Sequence, residues 1–297
     1  MRQLVLHASK LSTNSTNTVR QETSVTENEP AYEPAERIGR RIDISVPHSA
    51  RIFNYWLGGK DNYTVDRDAG ELVRKTFPGI VDLARIGRTF LVHTVRHLVT
   101  HAGIRQFLDI GTGLPTADNT HEVAQRLAPE ARIVYVDNDP LVLAHARALL
   151  TSTPQGATDY IDADLHDPDR ILREAAWTLD SSQPVALLLM GILAHVSDYD
   201  EARSIVNRLM QALPSGSYLA IRDGNNTDPS YARAIQGYNL SGAVPYHLRS
   251  PEQLTSFFDG LELLNPGIAP DPLWLPTTKP PAPIGHPAVF GGIGRKP

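Results

Sequence analysis

Residues 107–120 read FLDIGTGLPTADNT. A hydrophobic run ends in Asp109, two glycines follow one residue apart, and Asn119 stands ready to cap a helix. A buried strand, a tight glycine turn and a helix start are how a nucleotide-binding strand–helix unit begins. Two positions depart from the dinucleotide fingerprint G-x-G-x-x-G. Pro115 follows the second glycine by two residues, and Thr116 stands where the third glycine would be.

Outward from this stretch, short apolar runs alternate with amphipathic ones. QFLDI, RIVYVD, DYIDA, PVALLLM and SYLAIR are strands of the kind buried on both faces of a parallel sheet. Between the first two, NTHEVAQRLAP has Asn119 as N-cap and Glu122 three residues on, a capping box, and stops at Pro129. DPLVLAHARALL has Asp139 as cap and Pro140 in the first helical position. The alternation predicts a doubly wound α/β sheet. Near the end, SPEQLTSFFDG reads as a helix, and LELLNPG and AVFGGIGRK as two strands without a helix between them. That places an antiparallel addition at the sheet edge.

Upstream, residues 1–36 form a tail. Its Ser-, Thr-, Asn- and Glu-rich part, 12–36, has too few large apolar residues to offset the entropy of ordering, so disorder is expected. Residues 37–103 read as a helical cap over the 104–297 core. ARIFNYWLGG is one short segment, and GIVDLARIGRTFLVHTVRHLVTHAG is a longer helix with apolar residues at three- and four-residue steps.

Ligands of open α/β sheets sit beyond the carboxyl ends of the strands. Asp109 and Asp137 end the first two strands, and Asp164 follows the third. An acid like Asp137 can accept both hydroxyls of a ribose. Asp109 repels a pyrophosphate, and Pro115 removes one backbone N–H from the turn that would cradle it. The ligand that suits these residues is adenosine-based and cationic. S-adenosylmethionine (SAM), with its ammonium and sulfonium and no phosphate, is such a ligand.

The segment from Gln106 to Arg222 resembles the class I SAM-dependent methyltransferases. Closer still is the resemblance of PHSARIFNYWLGGKDNYTVDRDAG, FLDIGTGLPTADNTHEVAQ and YVDNDPLVLAHARALL to an actinobacterial methyltransferase family formerly catalogued as a domain of unknown function. The GTGLPT form of the turn, with its proline, fits that family. The resemblance covers nearly everything from Ile42 to Lys296. It implies a Rossmann-like, mostly parallel seven-stranded sheet with an antiparallel last strand. It also implies SAM as cofactor, S-adenosylhomocysteine (SAH) as product, and cofactor contacts at Asp109, Gly111, Gly113, Asp137 and Asp164; Thr112, Asn138, Leu165, Met190 and Gly191, beside them or at the strand ends, are the further cofactor candidates. Asp164, placed to accept from the adenine amino group with Leu165 against the ring, has a helix N-cap as its second reading, given Pro168 and Asp169 beyond it.

Other candidates carry two readings each. Tyr55, Lys60, Asn62 and Tyr63 surround a Gly pair and form either a lid or an aromatic helix packed on the core. Arg88 pairs with a structural acid or meets the methionine carboxylate. His121 is helix surface or site. His195 follows the fourth strand, where an imidazole would serve as base for an oxygen or nitrogen nucleophile, or it is a loop residue. Asp223, Asn225 and Asn226 lack the further acid a divalent ion would need, so no metal is expected.

Composition narrows the rest. The 297 residues carry a net charge of −5, which leaves no basic footprint for nucleic acid. The absence of cysteine excludes disulfides, thiolate nucleophiles and cysteine-held clusters. No apolar run reaches membrane-spanning length and no leader is evident, so a cytoplasmic enzyme with a small-molecule acceptor is expected. A non-catalytic SAM- or SAH-binding protein and a nucleotide-dependent oxidoreductase remain the alternatives.

Overall fold

Five parallel strands carry the molecule: β1 (Gln106–Ile110), β2 (Arg132–Asp137), β3 (Ala157–Asp162), β4 (Ala186–Met190) and β5 (Tyr218–Gly224). The computed structural model describes residues 42–149, 151–274 and 287–297; the expected 1–36 tail lies outside them. Antiparallel strands β6 (Glu262–Leu263), β7 (Ala269–Pro270) and β8 (Val289–Arg295) complete the sheet in the order β3-β2-β1-β4-β5-β8-β6, with β7 also on β8.

The sheet therefore has eight strands, not the seven expected. β6 pairs with Gly294 and Arg295, and β7 with Phe290 and Gly291. The two share one edge of β8 in succession. Between them Gly267 turns back onto the Leu264 carbonyl, and Pro266 has no N–H to give a ladder. The expected strand LELLNPG is thus reduced to Glu262–Leu263, and β7 forms beyond it.

Helices cover both faces. In chain order they are α1 (Ser49–Trp56), α2 (Thr64–Thr76), α3 (Ile80–Thr100), α4 (Thr120–Leu127), α5 (Pro140–Leu149), α6 (Pro168–Ala175), α7 (Tyr199–Ala212), α8 (Pro229–Asn239) and α9 (Pro251–Ser256). Successive strand residues point to opposite faces. Leu108, Ile110, Val134, Leu187 and Leu189 enter one core with α6 and α7 residues, and Phe107, Ile133, Tyr135 and Leu188 enter the other with α3 and α4 residues. Each fully buried side chain of this size contributes about 1.5–3 kcal/mol.

The same alternation positions the chemistry. Asp109 shares the face of Phe107, toward α3 and α4, and Arg222 shares the face of Ala220, toward α3. The strand order reverses between β1 and β4, which opens a crevice at their carboxyl ends. α1, α3 and α8 line that crevice.

Candidate functional site

The floor of the site is the turn after β1. Asp109 is buried, and its carboxylate accepts a 2.6 Å hydrogen bond from the Thr120 hydroxyl at the start of α4. Burial pushes its pKa up to about 6, opposed by the Thr120 and Thr112 side chains and the Arg88 guanidinium. Gly111 has φ +74, and a Cβ there would lie 2.6 Å from the Ile192 side chain, so the turn needs glycine at this position.

Four N–H groups of this turn are spent within the protein. Those of Gly111 and Thr112 donate to the Val136 carbonyl, that of Gly113 to Asp137, and that of Thr116 to Asn119. Pro115 has none. These bonds hold the turn without a ligand and take the N–H groups of both glycines away from any phosphate.

Asp137 ends β2. One carboxylate oxygen accepts the Gly113 N–H at 2.9 Å and the other the Asp139 N–H at 2.9 Å. Burial raises its pKa and these two N–H groups oppose the rise. A carboxylate has about four lone-pair sites, so it retains acceptor capacity toward the cleft that it lines. Asn138 lines the same cleft and donates to Asp164 at 2.9 Å.

The open cleft above this floor measures about 260 Å³. Among the expected cofactor residues, Asp109, Gly111, Thr112, Gly113, Asp137, Asn138, Met190 and Gly191 line it together. Asp164 and Leu165 do not. Asp164 is exposed and accepts from the His166 backbone and ring, and Leu165 is buried in the core with Ile161 and Ile171. The cap of α6 is Asp167, which accepts from Arg170 N–H at 3.1 Å.

On the cap side, the lining comes from His48, Ser49, Ala50, Ile52, Phe53, Asn54 and Trp56 of the α1 region. Tyr55, Lys60, Asn62 and Tyr63 are not in it. Tyr55 points to α2, where its hydroxyl donates to Glu71 at 2.6 Å. Asn62 donates to the Asn54 side chain, closing the Gly58-Gly59 turn back onto α1. Lys60 is exposed, and Tyr63 packs with Leu114, Leu141 and Val142 under the Arg51 guanidinium.

Arg88 lines the cleft and donates to the carbonyls of Ala117 and Asp118. His121 does not reach it; its ring sits 2.9 Å from the Tyr135 hydroxyl between α4 and β2. His195 lines the cleft, with Nδ1 3.1 Å from the Pro245 carbonyl and the ring edge-on to Tyr246. Since a carbonyl only accepts, Nδ1 carries the proton and Nε2 keeps its lone pair. Burial lowers the imidazole's pKa.

Asp223 is internally satisfied: it accepts from the Tyr246 hydroxyl and from the Ala194 and Gly224 N–H groups. Asn225 is likewise tied to Thr227 and to the Pro287 carbonyl. Among the described residues no group of three or more His, Asp or Glu side chains is placed to hold a metal ion.

The sequence reading missed one end of the cleft. Ile80, Leu83, Gly87, Arg222, Tyr231, Ile235, Tyr238, Tyr246 and Val289 line it. One signal was available: Arg222 is a charge closing the otherwise apolar strand SYLAIR.

The model of a family described as S-adenosyl methyltransferase matches residues 35–297. A DUF574 family protein from Streptomyces avermitilis is 45% identical in sequence, with 86% of this chain and 100% of that chain covered and a TM-score of 0.82. A protein from Thermobifida fusca proposed to be a methyltransferase is 39% identical, with 86% and 96% covered and a TM-score of 0.79. No curated protein matches.

Proposed function

The chain belongs to the S-adenosyl methyltransferase family, and from that premise we propose how its cleft divides the work of a SAM-dependent methyltransferase acting on a small molecule. The observation that carries the division is the pairing of two buried carboxylates with a turn whose Gly111, Thr112 and Gly113 N–H groups are already taken by the protein. That donor set fits a cationic adenosyl compound. Asp137 would take the ribose hydroxyls, and Asp109 would face the ammonium of the amino-acid end, with Arg88 beside it. Met190, Gly191 and Asn138 border the space between.

When bound, SAM supplies an electrophilic methyl group on a sulfonium. The remaining work falls to the chain. α1, α3 and α8 exclude water from the cleft, and the cleft holds the acceptor in line. His195 Nε2 takes the proton from an O–H or N–H nucleophile, with Nδ1 anchored on Pro245 so that the accepting lone pair has a fixed direction. In this reading the segment 48–63 is the movable cover, with α1 touching the ligand and the Gly58-Gly59 turn acting as its hinge.

Calorimetry with SAH and with NAD tests the cofactor assignment. SAH binding without NAD binding is expected; NAD binding alone would overturn it. Incubation with methyl-labelled SAM and a low-molecular-weight cell extract tests the acceptor class. Label in the small-molecule fraction is expected, and label only in macromolecules would overturn it.

A further inference from the structure

His195 ends a single 3-10 turn, Leu193–His195, just beyond β4. So short a helix has little hydrogen bonding of its own to hold a side chain in one direction. The rest of the chain supplies the hold. The Arg249 guanidinium is buried and spans the turn: Nη1 donates to the Leu193 carbonyl at 2.8 Å and Nη2 to the Val196 carbonyl at 2.7 Å. Between those two carbonyls, the Ala194 N–H donates to Asp223 at 3.0 Å, and the Ala194 carbonyl accepts from the His247 N–H at 2.7 Å. The backbone of Arg249 is held in turn by the segment that leaves β5. Asn225 forms a β-bridge with it, and the Asn226 N–H donates to its carbonyl at 3.1 Å.

A buried guanidinium is a costly way to fill space. The Nε of Arg249 is buried without a hydrogen-bond partner, and the Phe257 ring lies 5.6 Å from its Cζ. An apolar side chain of similar volume would fill the site without that cost. It would also leave the joint to the β5 segment intact, because that joint uses only backbone groups. What the guanidinium alone supplies is a rigid planar fork, two donors at a fixed separation. The two carbonyls that receive them bracket the residue whose Nε2 is left free. Asp223, the other holder of the turn, is itself fixed by the Tyr246 hydroxyl and the Gly224 N–H.

We propose that Arg249 is a positioning residue for methyl transfer: its fork sets the shape of the 193–196 turn, so that His195 keeps Nδ1 on the Pro245 carbonyl and holds Nε2 in one place on the cleft wall. The proposal rests on reading His195 as the base. Arg249 does not line the cleft, so it acts through His195 and not on the cofactor or the acceptor.

Arg249→Lys tests it, since an ammonium keeps the charge but lacks the fork. Leu98→Ala, in the core on the other face of the sheet, serves as a destabilised control with the turn intact. Nitrogen NMR of the full chain with labelled histidine reads His195, whose signal is the one missing from His195→Asn. Wild type and Leu98→Ala should show the Nδ1-protonated tautomer alone, and Arg249→Lys a mixture of both. With methyl-labelled SAM and a low-molecular-weight cell extract, Arg249→Lys should lose about 10²-fold in turnover, the scale of an ångström-sized misplacement. SAH affinity should stay unchanged. The wild type gives a second reading that needs no variant to fold: a held fork rotates slowly, so the Arg249 Nη1 and Nη2 should give separate signals. One averaged Nη signal, or an unmixed His195 tautomer in Arg249→Lys, overturns the clamp. The same mixture in Leu98→Ala reduces it to general stability and overturns the positioning role. Mixed tautomers with full turnover overturn the base reading instead, while the clamp itself stands.

Discussion

The imidazole of His48 lies 3.0 Å from the carboxylate of Asp139. His48 is the N-cap of α1, and Asp139 caps α5 by accepting the Leu141 N–H at 2.8 Å. Two helix starts thus meet at their caps, with Arg51 Nε 4.0 Å from the same carboxylate and no hydrogen bond made to the Asp139 oxygen that they face. This contact ties the cover of the cleft to the end of β2.

Asp139→Asn keeps a good cap but removes the charge, whereas Asp139→Ala removes both. Both variants should speed amide exchange in residues 49–56. Only the alanine variant should also lose about 1 kcal/mol of stability in denaturant unfolding. Unchanged exchange in both would mean that α1 is held by packing alone.

Asp137→Asn should lower SAH affinity at least about tenfold, because charge-assisted bonds to two hydroxyls contribute about 1.5–3 kcal/mol. Calorimetry on the folded variant measures this. An unchanged dissociation constant would move the ribose contact to another residue.

Asp109 makes cofactor binding depend on pH. In the free protein its pKa is about 6, so it is protonated below that pH. A cofactor ammonium favours the carboxylate, so binding below pH 6 releases a proton and weakens as the pH falls. Calorimetry in two buffers of different ionisation enthalpy should show that proton, and Asp109→Asn should abolish it. The linkage has a second face. The folded value lies above the unfolded one, so Asp109 favours folding at low pH and loses that contribution as pH rises through about 6. Asp109→Asn should then stabilise the ligand-free protein at neutral pH, by up to about 3 kcal/mol for a two-unit shift.

His195 should show an Nδ1-protonated neutral tautomer in nitrogen NMR, since Nδ1 faces the Pro245 carbonyl. Burial lowers its pKa, so the neutral form should persist below the usual histidine range. Turnover should fall only when the pH drops through that lowered value. His195→Asn should cut turnover about 10²–10⁴-fold and leave SAH affinity unchanged. Full activity in the variant would remove the base from the mechanism.

What the sequence made legible follows from locality. β1 and β2 coincide with QFLDI and RIVYVD because each is a continuous buried run bounded by turn or cap residues. The start of α5 was readable from Asp139-Pro140 alone. β6 and β7, at two residues each, are too short to carry a period. The lining of α1 was only half visible. Ile52 and Trp56, four residues apart, share the helix face toward the cleft, and that spacing turns Tyr55 toward Glu71 instead. Arg222 and Asp271 meet across 49 residues. No local pattern announces such a pair.

The self-contained wiring of the glycine turn bears on how such an enzyme diverges. Replacing Asp109 by a neutral residue would remove the repulsion toward a pyrophosphate, yet the N–H groups of Gly111, Thr112 and Gly113 would stay committed to Val136 and Asp137. Conversion to a dinucleotide enzyme would require several coordinated replacements, each harmful on its own. Exposed lining residues such as Val244 are bound by no such wiring. Lineages descending from this protein are therefore expected to trade acceptors readily while keeping one methyl donor.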